Sequence, residues 1–562
     1  MRPSFTCALR RLLLALALLA AALAGPARAV QAGPPGAEPA GPDLQAGPAA
    51  ALDPAVVAGL AGDNNAKLAA IAALGESPDP RAAKMLEALN EGTLMMTAQG
   101  RALLALPGGQ AADPLTGQSL AMPGQADAVM LNNRLRRAIE NALAASRLFS
   151  ESAPVRLAAA RGMQREANPE RLPLIERALA KERHPEVRAA LEVAQSVLDL
   201  EHADPARRAQ AATRLGQTRN TAFRGMLAAI AEADASGDHA EADESVRQAA
   251  AAAVRAIDRH ARLAQWGGHL FFGLSLGSVL LLAALGLAIT FGLMGVINMA
   301  HGELLMIGAY VTFVVQTLFR QYAPAWVDWY VLAALPAAFA VAALVGMVLE
   351  RTVIRWLYGR PLETLLATWG ISLILMQGVR SLFGAQNVEV GNPSWMSGSL
   401  RVMDGLVLST NRIVIIVFAM LVVALVWLLL NRTRLGLFVR AITQNRRMAD
   451  CVGVPTGRVD MLAFGLGSGI AGLAGVALSQ LGNVGPDMGR VYLIDSFMVV
   501  VLGGVGQLAG TVIAALGLGA FSKFLEPYAG AVLAKITVLV LIVLFVQKRP
   551  QGLFAPRGRS VE

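Results

Sequence analysis

Residues Ile413–Leu430 read IVIIVFAMLVVALVWLLL, eighteen residues without a charge, a glycine or a proline. A hydrocarbon core about 30 Å thick is crossed by roughly 20 apolar residues in a helix, and Trp329–Leu349 is a second stretch of this kind. Around these two stretches the chain stays almost continuously apolar from about Gly268 to Val546, broken only by short loops. Further spans read as Gly268–Thr290, Val296–Leu318, Leu362–Leu382, Val459–Leu481, a glycine-rich hairpin over 495–525, and Val532–Val546, for about nine crossings.

Composition agrees with a membrane domain. Of 562 residues 55% are hydrophobic and only 16% charged, with mean hydropathy +0.50; a soluble chain of this length carries more charge. The net charge of +9 does not point to nucleic acid, because the basic residues sit in loops between apolar spans. Arg351, Arg355 and Arg360 follow the third span. Arg432, Arg434, Arg440, Arg446, Arg447 and Arg458 fill the loop 431–458, and Lys548 and Arg549 follow the last span. By the positive-inside rule these three places face the cytosol, although Arg320, Arg380, Arg401 and Arg490 fall on the other side.

The segment before the spans is then delivered outside. Residues 1–29 have the pattern of a secretory signal: Arg2, Arg10 and Arg11, an apolar Leu12–Leu23, and Ala27-Arg28-Ala29. Removal of that leader takes Cys7 with it and leaves Cys451 without an internal partner. Residues 30–51 are rich in Ala, Pro and Gly and read as a linker. From 52 to 262 the chain is rich in Ala, Leu, Arg and Glu, and a motif recurs: PVRLAA from Pro154, PEVRAA from Pro185, DPARRAQAA from Asp204, SVRQAA from Ser245. Each begins with a turn and continues into a helix with small residues on one face, as in a HEAT-type solenoid; a plain helical bundle is the alternative. The expected fold class is all-α: a polytopic transmembrane helical domain over 266–548 with a tail over 549–562, preceded by an exported, HEAT-like helical domain.

Polar residues inside the spans are the candidate site. GLMGVINMAHGE, Gly292–Glu303, places Asn298, His301 and Glu303 in apolar surroundings between glycines. A charge at mid-bilayer costs roughly 2.5–3.5 kcal/mol on insertion scales, so these groups face either a wet solute path or a partner helix. The glycines allow the helix to break there. Thr364, Thr368 and Ser372 recur every four residues on one stripe of the fourth span, with Gln377 beyond them; they line a pore or bond a neighbouring helix. Gly465–Gly472 spells G-x-G-x-x-G, but no strand precedes it, and it reads as close helix packing. The chain is not read as an enzyme, with no catalytic residues, metal ligands or cofactor of its own: no Lys follows a Gly, so there is no Walker A loop, and His301-Gly302-Glu303 lacks the second histidine of a zinc helix. Arg434–Pro455 reads as a short amphipathic helix ending near Gly453, with Leu437, Ala441 and Met448 on its apolar face. Such a helix is marginal alone and suits a groove on a protein partner, or anionic lipid.

Four segments in order, GLMGVINMAHGELLMIGAY, RPLETLLATWGISLILMQ, RTRLGLFVRAITQNRRMADCVGV and VLGGVGQLAGTVIAA, resemble the permease family of branched-chain amino-acid ABC importers over about 266–556. The long exported segment, with NMAHGELLMIGAY, further resembles the permeases of urea importers. The resemblance implies a bacterial inner-membrane subunit, multi-pass, with its N-terminal domain in the periplasm. Its partners would be a second related permease, two ATPase subunits that bind the ATP, and a periplasmic solute-binding protein. On this chain Arg440, Gln444, Asn445, Arg446, Arg447 and Met448 would couple to the ATPases, and Asn298, His301, Glu303 and Thr368 would line the path. Urea is the expected solute; branched-chain amino acids or short amides are the alternative, and a membrane-anchored scaffold is the reading from another class.

Overall fold

The chain divides into two compact units, Met1–Gln195 and Ser196–Glu562. This computed structural model describes residues 53–554 except 78, 98–100, 107–109, 115–117, 122–125, 165–170 and 234–238. The proposed leader, the linker and the last tail residues lie outside the described residues.

The first unit begins with α1 (Pro54–Ala58), α2 (Asn64–Glu76) and α3 (Pro80–Glu91). Aspartates start all three: Asp53, Asp63 and Asp79 accept from backbone amides of the first turn, each cap worth about 1 kcal/mol. Leu74, Leu86 and Leu89 are buried with Leu135 and Ile139 of α4 (Asn133–Leu148). Between α3 and α4 lies a feature the helical reading of 52–262 did not contain. Five short strands, β1 (Leu94–Thr97), β2 (Ala102–Leu106), β3 (Gln110–Ala112), β4 (Ser119–Ala121) and β5 (Ala126–Ala128), form an antiparallel sheet in the order β4-β3-β2-β1-β5. Leu, Met and Ala are helix formers by propensity; here tertiary pairing overrides that preference. Then come α5 (Ala153–Met163), α6 (Leu172–Lys181) and α7 (Pro185–Asp199).

The repeated arginine has a repeated job. Arg156 donates to the carbonyls of Ser150 and Glu151 and pairs with Glu182 at 2.7 Å. In the second unit Arg208 does the same with His202, Ala203 and Glu241 at 2.8 Å, and Arg247 donates to the carbonyls of Glu241 and Ala242. Each side chain thus ties the start of a helix to the turn before it. These hydrogen bonds hold the Glu182 and Glu241 carboxyls below the ordinary carboxylate range.

In the second unit α8 (Pro205–Thr218) and α9 (Arg224–Ala231) pack on the N-terminal half of α10 (Glu244–Met294), a helix of 51 residues, about 77 Å at 1.5 Å per residue. Arg224 pairs with Asp258 at 2.6 Å. The helix passes without a break through 262–266, where composition changes from soluble to apolar. Gly273-Leu274-Ser275-Leu276-Gly277 has the spacing of a nucleophile elbow but lies inside this helix, with no strand or strained turn.

The apolar helices follow as α11 (His301–Tyr322), α12 (Tyr330–Thr352) and α13 (Pro361–Phe383). After the hairpin β6 (Ser399–Met403) and β7 (Leu406–Ser409) come α14 (Thr410–Arg432), α15 (Arg434–Gln444), α16 (Arg446–Cys451), α17 (Thr456–Ser479), α18 (Met488–Gly503) and α19 (Leu508–Lys548). Among the described residues seven helices are long and apolar enough to cross a membrane. Gly530, at φ 75°, divides α19 into two arms, 508–529 and 531–548. The centre is α17. Its glycines sit against both backbone and side chains of the neighbouring helices: a Cβ on Gly467 would lie 2.6 Å from Thr290 Cγ2 and 2.7 Å from the Gly286 oxygen, one on Gly469 2.6 Å from the Phe339 ring, and one on Gly472 2.6 Å from the Ala338 oxygen. The G-x-G-x-x-G stretch is therefore a packing surface for α10, α11 and α12, where small residues let helices approach in place of a hydrophobic driving force.

Candidate functional site

The expected second span from Val296 is shorter than its apolar run. Helix α10 stops at Met294, Gly295 takes the left-handed conformation at φ 67°, and Val296–Ala300 is not helical. A left-handed residue is cheap only for glycine. The next helix begins at His301, whose Nε2 lies 2.9 Å from the Ala283 oxygen. Ala283 is near the middle of the apolar run of α10, so α11 starts about halfway across the membrane. Helix α18 starts nearby: a Cβ on Gly302 would lie 2.5 Å from the Gly489 oxygen. Two helix N-termini meet at bilayer depth, an arrangement that aims unpaired backbone N–H groups and positive dipole ends at one place.

The polar side chains fall into distinct roles. The His301 ring is fully buried. Its Nε2 donates to the Ala283 carbonyl, which makes His301 a tie between α11 and α10. Asn298 accepts from the Ala300 amide at 3.0 Å through Oδ1, which leaves its Nδ2 aimed elsewhere with no partner. Glu303 accepts from the Ser372 hydroxyl at 2.8 Å through Oε1, and its Oε2 has no partner. Thr368 accepts from the Met299 amide at 3.1 Å and donates to the Thr364 carbonyl at 2.8 Å. Thr364 donates back to the Arg360 carbonyl. So the stripe on α13 faces inward and binds the broken segment, as its spacing allows. Gln377 is exposed on another face of α13 and joins none of this.

Groups with no signal in the local sequence complete the surroundings. Asp487, one residue before α18, holds Arg380 of α13 at 2.7 Å. Tyr310 is buried with an unpartnered hydroxyl. Separations of 107 residues, as between Arg380 and Asp487, leave no periodic trace to read.

On the basic loop, the single helix expected over Arg434–Gly453 is two. Asn445 is extended (φ −155°, ψ 107°) and caps α16 by accepting from the Met448 amide at 3.0 Å. That break resets the helical phase. The buried apolar face is Ile442 and Ala449, packed with Phe438 and Ala441, while Leu437, Met448 and Val452 are exposed. Arg440 donates to the last carbonyls of α14, at Leu430, 2.6 Å away. Gln444 and Arg447 are exposed, and Arg446 pairs with Asp460 of α17. In the 353–360 loop, burial, with the Asp460 and Glu350 carboxylates adding to it, pushes the Tyr358 hydroxyl up and keeps it protonated.

Residues 269–546 match the family described as branched-chain amino acid transport system / permease component. The chain is 31% identical over 287 residues to the high-affinity branched-chain amino acid transport system permease protein BraD of Pseudomonas aeruginosa, across 50% of this chain and 93% of that protein. It is 29% identical over 293 residues to LivH, a permease protein of the same kind from Escherichia coli K12, across 51% and 94%. A probable LivH of Methanocaldococcus jannaschii is 25% identical over 297 residues, across 49% and 88%. No solved structure matches.

Proposed function

The chain belongs to the family of permease components of branched-chain amino acid transport systems, and from that premise we propose that it forms half of the solute path of an ATP-driven urea importer in a bacterial inner membrane. The observation that carries the solute assignment is the open hydrogen-bonding capacity beside the broken helix. Asn298 Nδ2 is a free donor and Glu303 Oε2 a free acceptor, both sealed from solvent in this conformation. Buried polar groups without partners are rare and costly. Urea offers one carbonyl acceptor and four N–H donors and satisfies both kinds of group at once; the resemblance of the exported segment to that of urea-importer permeases adds to this.

The remaining parts follow from the same premise. A second, related permease completes the path, two ATPase subunits dock at α15 and α16, and a solute-binding protein delivers from the periplasm. The module before the spans lies on the periplasmic side, and its recurring arginine ties support a HEAT-like repeat. Nine crossings result when α18 and both arms of α19 each cross.

Branched-chain amino acids are the second reading. The relatives are named for them, and a cavity of about 220 Å³ between α10, α18 and α19 has apolar walls at Leu276, Met498 and Val538 beside the Lys535–Asp495 pair. The assembled complex in liposomes is tested for ATP-dependent uptake of labelled urea and labelled leucine. Urea uptake that falls at least tenfold in Glu303→Gln and Asn298→Ala, with the protein still inserted, is the expected result. A wild-type complex that takes up leucine and no urea refutes the urea assignment.

A further inference from the structure

The exposed side chains Arg447, Met448 and Val452 suit a docking surface, but Arg446 beside them turns inward. It pairs with Asp460 of α17, whose side chain is fully buried, and its guanidinium carbon stands 4.6 Å from the centre of the Tyr358 ring. The Tyr358 hydroxyl has one proton and two acceptors, Glu350 Oε1 at 3.0 Å and Met294 Sδ at 3.2 Å; the carboxylate is the stronger acceptor and takes it. Met294 is the last residue before the break at Gly295. It packs at once against the apolar face of the cytosolic helices, with Ile442 and Ala449, and against Val296, Ile354 and Phe464. An unbroken series of contacts therefore runs from α16 to the non-helical segment 295–300, touching α10, α12 and α17 on the way.

This series resists slack. Withdrawal of Arg446 would leave the Asp460 carboxylate buried with its ion pair broken, a heavily penalised state. The planar guanidinium also makes two directional contacts at once, an ion pair and a ring stack, which an ammonium does not reproduce. A displacement of α16 must then carry α17 and Tyr358 with it.

We propose that Arg446 is a positioning residue for transport: it is the joint through which movement of α15 and α16 by an ATPase subunit reaches the broken segment 295–300, by way of Asp460 on one side and Tyr358 with Met294 on the other. This rests on the reading that an ATPase docks at these helices. It separates two duties within one short helix and its C-cap, since Arg447, Met448 and Val452 meet the partner and Arg446 passes the motion inward.

The test uses the assembled transporter in liposomes. Tyr358→Phe keeps the ring and removes the two hydroxyl contacts. The double variant Arg446→Met with Asp460→Asn removes the ion pair without stranding a charge, and Arg446→Lys keeps the charge and loses the plane. Three quantities are read: ATP hydrolysis, solute uptake, and maleimide labelling of Ile297→Cys in a Cys7→Ser, Cys451→Ser background, with and without ATP and vanadate. For Tyr358→Phe and the double variant we expect hydrolysis within twofold of wild type and uptake down at least tenfold. The nucleotide-dependent change in labelling is lost in both, and Arg446→Lys falls between them and wild type. Hydrolysis and uptake falling by one common factor, or labelling that still responds to nucleotide in both variants, overturns the joint. A wild-type complex in which no ATPase touches α15 or α16 overturns the docking reading and the joint together. A wild-type complex that takes up no urea but keeps the labelling response refutes only the solute assignment.

Discussion

Replacing Gly472 with alanine tests the packing on which the site rests. The new Cβ would lie 2.6 Å from the Ala338 oxygen and 2.7 Å from the Ala342 Cβ, both on α12. Comfortable carbon contacts are about 3.5–4.0 Å, so α12 and α17 must part by about 1 Å. The opposite side of Gly472 gives no room, because a Cβ on Gly308 of α11 would already lie 2.5 Å from the Gly472 Cα. Overpacking of this kind costs about 1–3 kcal/mol, and the middle of that range is roughly a thirtyfold loss in the folded-to-unfolded ratio. Gly370 of α13 is the control: nothing stands within 4 Å of a Cβ there, and Gly→Ala inside an exposed helix gains about 0.5–1 kcal/mol. Unfolding by a denaturing detergent, followed by tryptophan fluorescence, should move in opposite directions for the two variants. Gly472→Ala should also lower uptake, because α11 carries Glu303 and moves with the contact. Two variants equally as stable as wild type would show that α12 and α17 do not approach as described, and the placement of α11 would fall with them.

Other outcomes follow from single contacts. Thr368→Val strands the half-buried Met299 amide, a loss of about 1–3 kcal/mol; hydrogen exchange at 296–300 should quicken and uptake fall, while Gln377→Ala, on the exposed face, leaves both unchanged. Met448→Glu with Val452→Glu places charge on the exposed apolar side of α16 and should halve or abolish co-purification of an ATPase without altering the detergent stability of this chain. For pH, Glu182 and Glu241 have folded values depressed from 4.5 by the hydrogen bonds from Arg156 and Arg208. Their contribution is complete above the unfolded value and is lost as pH falls through the lower folded ones. The thermal midpoint of the helical module should thus drop steeply below about pH 4.5, and Arg156→Met with Arg208→Met should flatten that drop; a parallel curve for the variant would remove these pairs from the explanation.

Much of this protein is legible in one dimension because the bilayer imposes one-dimensional rules. Length and apolarity mark Trp329–Leu349 and Ile413–Leu430 as spans whatever they pack against. Gly295 beside Asn298, His301 and Glu303 marked a place where a helix could end, since glycine adopts left-handed backbone and polar groups at that depth need a purpose. The four-residue stripe of α13 had its shared face in its spacing. What the stripe met was not legible: Ser372 and Glu303 are 69 residues apart, and either a pore or a partner helix satisfies the same pattern. Tertiary structure decided that His301 Nε2 meets the Ala283 carbonyl, that Gln377 is exposed, and that α18 brings a second helix N-terminus close to that of α11. The five-stranded sheet escaped because Leu, Met and Ala do not declare a strand until a neighbour pairs with it. The break at Asn445 escaped because one extended residue turns a helical face by an angle that only the following contacts reveal. Spans obey their solvent, so their sequence is enough; a site is a set of meetings between distant residues, and only the packed chain arranges them.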